Sequence, residues 1–229
     1  MLTRLKGLGI ALVVIGLAFM VGAGYSFMKV QEGTASLQAF SAAQGVELAY
    51  NEEGQLTDRG ETAGADAIMA LLTDDWGYAV VASEMNPNDP IVNTASEYMY
   101  QMATIAYHTL NGVQTVVLPA DVEYNGELFA AGTYEFAVDG RYWTDFDRQH
   151  PIEGAARGQA WSGTAHALIA ELGVGTVTAS ALQLGLGLTA LFAGFGGTLI
   201  FAGAGLVWAT RPETEKVRVV RRQTEGMPA

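Results

Sequence analysis

The stretch TDFDRQHPIEG places Asp145, Asp147, His150 and Glu153 within nine residues, three carboxylates and an imidazole of the kind that ligate a divalent cation. Their spacing has neither the central glycine of a calcium loop nor the His-Glu-x-x-His register of a zinc helix. The expectation is therefore a solvated connection and no metal. His108 and His166 lie near the ends of expected helices, where a histidine makes local hydrogen bonds or a pH-sensitive contact. No Gly-x-Ser-x-Gly, phosphate-loop or dinucleotide pattern stands in a loop before a helix. The absence of cysteine removes thiol nucleophiles, Cys-ligated iron–sulfur clusters and covalent c-type haem. The chain is expected to be no enzyme and to carry no cofactor.

The elements that must position these residues are set by where charge is missing. Residues 7–28 form a run of 22 without a charge, and residues 172–210 a run of 39. About 20 apolar residues at about 1.5 Å each cross a hydrocarbon core of about 30 Å, so each run predicts a transmembrane helix. The second run holds no proline, Asn-Gly or Asp-Gly to make a hairpin. It reads as one long helix capped near Ser162, with TAHALIAELGVGTVTASALQL above the bilayer and a span of about 184–208. The first run is longer than the usual core of a signal peptide, and Gly22-Ala23-Gly24 is only a passable cleavage site, so a retained anchor is expected.

Basic residues set the orientation. Residues 1–6 and the tail 211–229 hold seven Lys/Arg in 25 residues: Arg4, Lys6, Arg211, Lys216, Arg218, Arg221 and Arg222. Residues 29–171 hold five Lys/Arg against 21 Asp/Glu, a local charge of −16 within a net charge of −12. Both termini are expected in the cytoplasm and residues 29–171 outside the plasma (inner) membrane. The acidic balance excludes nucleic acid as a partner and favours a basic extracytoplasmic protein or a cation.

Within that middle region, SLQAFSAAQ reads as a helix ended by Gly45, VELAYNEEG and DWGYAVVAS as short strands, and ETAGADAIMALLTD as a helix. Asp89-Pro90 and Asn111-Gly112 bracket an expected helix of about 20 residues. TVVLP, VEYNGELF, GTYEFAV and GRYW, separated by turns such as Asn125-Gly126, predict a small antiparallel β-meander. The expected fold is an α+β membrane protein in which two transmembrane helices flank an extracytoplasmic domain.

GLGLTALFAGFGGTLIFAGAG, residues 185–205, holds seven glycines, each of which costs a helix in water roughly 1 kcal/mol. At about 100° per residue, Gly185, Thr189, Gly196 and Gly203 fall on one line and Gly187, Gly194 and Gly205 on nearly the opposite one. The first helix repeats the device, with Gly9, Gly16 and Ala23 on one side and Ala11, Ala18 and Gly22 opposite. Small residues let backbones approach, and packing drives helix association in lipid. One seam on each helix serves packing within the chain; the others call for partners among integral membrane protein subunits.

With VELAYNEEG soon after the first helix and the glycine-rich span near the end, the layout resembles uncharacterised two-helix membrane proteins of high-GC actinobacteria. Some of these are labelled ring-opening dioxygenases, chemistry for which this chain shows no residue pattern, and the resemblance implies no site. The function expected is that of an accessory, structural subunit of a larger membrane assembly, with a respiratory or photosynthetic electron-transfer complex as one host. The alternative is an extracytoplasmic sensor or ligand-binding module that signals through a partner, the 19-residue tail having no room for an output domain.

Overall fold

A computed structural model describes residues 2–211. Of the basic residues expected on the cytoplasmic side, Lys216, Arg218, Arg221 and Arg222 lie outside the described residues. The protein is mixed: helices with small antiparallel sheets, and two helices long and apolar enough to cross a membrane. It divides into two compact units, Met1–Thr34 with Ala181–Ala229, and Ala35–Ser180.

Helix α1 runs over Leu2–Gln44 and helix α5 over Gly163–Ala209, and each contributes residues to both units. The helix expected from Ser36 is therefore the last part of α1. It stops at Gly45, whose φ of +62° ends an α-helix without the steric cost of a Cβ. Helix α5 starts well before residue 172, and its N-cap is Ser162, whose Oγ accepts the Ala165 N–H at 3.2 Å.

In the first unit, α1 and α5 lie antiparallel, Gly9 meeting Gly203 and Gly16 meeting Gly196. Large apolar side chains such as Val21 and Phe201 point away from this seam and are exposed.

The second unit is built around helix α3, Ala95–Leu110. Its start lies later than Asp89-Pro90 predicts, because Thr94 and Glu97 form a reciprocal capping box. Pro90 is used otherwise: its carbonyl accepts the Leu48 N–H at 2.8 Å, tying the loop to the segment after α1. Helix α2, Thr62–Ala70, continues into a π-helical turn at Leu71–Asp75 and buries Ile68 and Leu72 against α3. Leu172 of α5 joins that core, and Leu37 of α1 packs beside it. VELAYNEEG and DWGYAVVAS form no ladder: the first makes only isolated bridges, Glu47 with Ile91 and Tyr50 with Leu56. The second is irregular apart from a 3-10 turn at Ala82–Glu84.

Strands β1 (Val113–Leu118), β2 (Val122–Tyr124), β3 (Glu127–Phe129) and β4 (Gly132–Ala137) are all antiparallel but do not form a meander. They nest: β1 pairs with β4 and β2 with β3, as one long hairpin interrupted at Pro119–Asp121. Asp121 carries the interruption by accepting the Ala131 N–H at 2.8 Å, and the register slips by one residue across it. The tip is Asn125-Gly126 with φ of 51° and 80°, as a type I′ turn requires. GRYW is a turn and adds no strand. Short helix α4, Glu153–Ala160, packs Ala156 on Val116 and Leu118 of β1, together with Ile152 just before the helix.

Candidate helix-packing site

The first unit brings the predicted seam residues together in order. A Cβ on Gly9 would stand 2.7 Å from the Gly203 carbonyl oxygen, and one on Gly203 would stand 2.5 Å from that of Gly9. Two turns on, the corresponding distances between Gly16 and Gly196 are 2.7 and 2.8 Å. Real Cβ atoms do not approach carbonyls so closely, so glycine at these four positions sets the interhelical distance. Ala23 is buried next in line. Beyond it Thr189 Oγ1 donates to Ser26 Oγ at 2.9 Å, a polar side-chain pair of a kind that contributes about 0.6 kcal/mol in lipid. Gly185 faces Val30, whose Cγ2 would lie 2.8 Å from an added Cβ.

Gly9, Gly16, Ala23 and Val30 recur every seventh residue, as do Thr189, Gly196 and Gly203. A seven-residue repeat keeps a seam facing its partner when two helices wrap around each other in a left-handed supercoil. Phe19 flanks the contact, its ring 5.8 Å from that of Phe192 and 6.3 Å from that of Phe195.

The opposite seam is open. Among the described residues nothing lies within 4 Å of a Cβ built on Gly187, Gly194 or Gly205. On α1, Ala11 and Ala18 are exposed, and Gly22 makes only an ordinary 3.8 Å approach to Phe192.

In the second unit the acidic stretch after β4 is used for architecture. Asp145 accepts the Tyr142 N–H at 2.8 Å. Asp147 accepts the Tyr124 hydroxyl at 2.6 Å and the Gln149 N–H at 2.9 Å; the tyrosine hydrogen bond, first, holds its carboxyl below the usual range. Glu153 takes the Asp147 N–H at 2.8 Å and pairs with Arg141 at 3.3 Å. His150 Nδ1 accepts the N–H groups of Ile152 and Glu153, capping α4, while its ring sits edge-on to Tyr124 and Phe129. Among the described residues no three His, Asp or Glu side chains are grouped to share a metal ion.

No family model, curated protein or solved structure matches the chain.

His166 is held locally, whereas His108 reaches a residue distant in sequence. His108 Nε2 lies 2.9 Å from Asp58 Oδ1, and His166 Nδ1 lies 3.1 Å from the Ser162 carbonyl, with the His166 ring edge-on to Trp143. Arg157 stacks on that same Trp143, its guanidinium carbon 3.2 Å from the ring centroid, and donates to the Trp143 carbonyl. Burial lowers the pKa of Arg157, and the nearby Arg148 lowers it further.

Two close approaches had no counterpart in the sequence reading. Gly33 meets Leu182 with 2.6 Å between the leucine Cδ2 and an added Cβ, extending the first unit's seam by another turn. Gly175 of α5 lies against the ring of Tyr98, where an added Cβ would stand 2.6 Å from Cε1. Gly33 stands three residues after Val30 on α1, so the continuing seam gave a signal for it; Gly175 contacts a residue far off in sequence and gave none.

Proposed function

We propose that the protein is a non-catalytic accessory subunit of a larger membrane protein complex, docking sideways through the open glycine faces of its two long helices. One observation carries the reading: each helix has two small-residue seams, and among the described residues the chain itself consumes one of them. Gly9, Gly16, Gly196 and Gly203 are filled by backbone, while Gly187, Gly194 and Gly205 have open space where a partner helix fits. In lipid such close backbone approach is what holds helices together.

Exposure of the apolar residues supports the membrane setting. Val21 is 74% and Phe201 81% exposed, whereas a core helix of a water-soluble protein buries such side chains. With Arg4 and Lys6 at one end and Arg211 at the other, the positive-inside rule places both ends of the chain in the cytoplasm. The acidic middle then lies outside the plasma membrane, where its charge favours a basic extracytoplasmic protein, such as the carrier of an electron-transfer assembly.

Extraction in mild detergent through an affinity tag on the tail, followed by native electrophoresis and mass spectrometry, tests the reading. The expected result is comigration with integral membrane subunits at a mass well above 24.2 kDa. A chain that migrates alone overturns it.

A further inference from the structure

Beside the Gly9–Gly203 contact, the first unit carries a groove of about 350 Å³ lined by Ile10, Val13, Val14, Ala204, Val207 and Arg211. Its walls are two helical faces. Ile10, Val13 and Val14 follow the i, i+3, i+4 spacing on α1, Ala204 and Val207 the i, i+3 spacing on α5, and Arg211 follows two residues past the end of α5. The groove is apolar along its length because both faces are aliphatic, and shallow-floored because Ala204 contributes only a methyl group. The glycine contact draws the two backbones together behind it.

One end of this groove is cationic. Arg211 is exposed four residues beyond Val207, just past the end of α5, where a closing turn holds the backbone: Thr210 N–H donates to Leu206 O at 3.1 Å and Arg211 N–H to Trp208 O at 3.2 Å. Since α1 and α5 are antiparallel with Gly9 at Gly203, Arg4 and Lys6 lie toward the same end as Arg211. No Asp or Glu occurs among residues 2–31 or 172–211, so no carboxylate on these helical segments offsets the three positive charges.

An aliphatic channel that ends in a cluster of cations has the chemistry of one ligand class. We infer that the groove binds a single anionic phospholipid, one acyl chain lying along Ile10, Val13, Val14, Ala204 and Val207 and the phosphate meeting Arg211. The inference rests on the membrane reading above. Guanidinium presents paired N–H donors to a phosphate, and the positive charge of Arg4 and Lys6 at the same end favours a net-negative headgroup over a zwitterionic one.

The test is native mass spectrometry of the full chain, released from micelles doped with equal amounts of phosphatidylglycerol and phosphatidylcholine carrying the same acyl chains. The expected result is one retained phosphatidylglycerol, favoured over phosphatidylcholine by roughly fivefold or more. Arg211→Gln is expected to cut that preference roughly fivefold, the effect of one basic residue near a lipid surface. Ala204→Phe, which fills the groove, is expected to abolish retention of both lipids. Equal retention of the two lipids by the wild-type chain, or an unchanged preference in Arg211→Gln, overturns the inference while leaving the membrane reading intact. Recovery of the chain from the soluble fraction without detergent overturns both.

Discussion

Gly9 and Gly203 meet backbone to backbone, and neither tolerates a side chain: each carbonyl oxygen occupies the place of the other residue's missing Cβ, at 2.5–2.7 Å. Two glycines on the opposite lines of α5, Gly194 and Gly205, have open space instead. Gly203→Leu is therefore expected to force α1 and α5 apart at a cost of about 1–3 kcal/mol, whereas Gly205→Leu leaves the pair intact. The chain has no cysteine, so a Ser26→Cys/Thr189→Cys pair reports the contact cleanly, the native hydroxyl oxygens being 2.9 Å apart. Oxidation is expected to form the disulfide in this background and with Gly205→Leu, and to fail with Gly203→Leu. Equal cross-linking in all three would show that the glycine contact does not set the helix spacing.

The ring of Tyr98 is locked from two sides. Its hydroxyl lies 2.7 Å from Ser41 Oγ, and its edge lies where a Cβ of Gly175 would sit. Tyr98→Phe is expected to cost about 1 kcal/mol, the ordinary worth of one hydrogen bond, because Ser41 keeps its bond to the Leu37 carbonyl. Gly175→Leu is expected to cost about 1–3 kcal/mol by displacing the ring. The combination Gly175→Ala/Tyr98→Leu is expected to be less damaging than the sum of its parts, since the smaller side chain makes room. Denaturant unfolding followed by tryptophan fluorescence measures all of these, and strict additivity would remove the packing explanation.

How far these features were legible depends on the range of the interaction. The two apolar spans, the stop at Gly45, the cap at Ser162 and the turn at Asn125-Gly126 are set by neighbours in sequence, and their residues announced them; that the first span runs unbroken into the helix from Ser36 was not announced. The seam was legible for a related reason: a seven-residue spacing of small residues is a one-dimensional pattern with a single helical meaning. The start of α3 was misplaced because Asp89-Pro90 and Thr94-x-x-Glu97 are both start signals, and the reciprocal box won. VELAYNEEG and DWGYAVVAS alternate like strands but make no ladder. Strand pairing depends on a partner that periodicity does not name, which is also why a nested hairpin was read as a meander. The acidic stretch was expected as a solvated connection; residue types say nothing of direction, and Asp145, Asp147, His150 and Glu153 point instead to backbone N–H groups, Tyr124 and Arg141.

Glu97 gives a pH dependence with a definite sign. It is 2% exposed, and burial raises its pKa although the Asn93 N–H and the Thr94 N–H and hydroxyl all donate to it; Asp89 adds to the rise. A carboxyl whose folded pKa is raised binds more protons folded than unfolded between the two values, so its stabilising effect is complete below the ordinary pKa and lost as pH rises through the raised one. Glu97→Gln keeps an acceptor for the N-terminal donors of α3 and cannot titrate. The wild-type chain is expected to gain stability relative to this variant as pH falls from neutrality through that window. Denaturant midpoints of the two proteins across a pH series measure the difference, and a difference independent of pH would show that Glu97 is not a titrating element of the fold.

The open seam is the one part of the molecule whose substitution separates docking from folding. Gly187, Gly194 and Gly205 have nothing within 4 Å of an added Cβ, so leucine at these positions costs the isolated chain little and even favours the helix slightly. A partner helix packed there at backbone distance meets the opposite situation, since each leucine interposes a bulky side chain where a flat surface was needed. Gly194→Leu with Gly205→Leu is therefore expected to abolish comigration with membrane subunits in mild detergent while leaving the Ser26→Cys/Thr189→Cys cross-link as efficient as before. Loss of both readouts would mean that the substitutions disturb the chain itself. Retention of comigration would mean that the partners bind elsewhere, and the outward glycines would then serve only close packing of lipid.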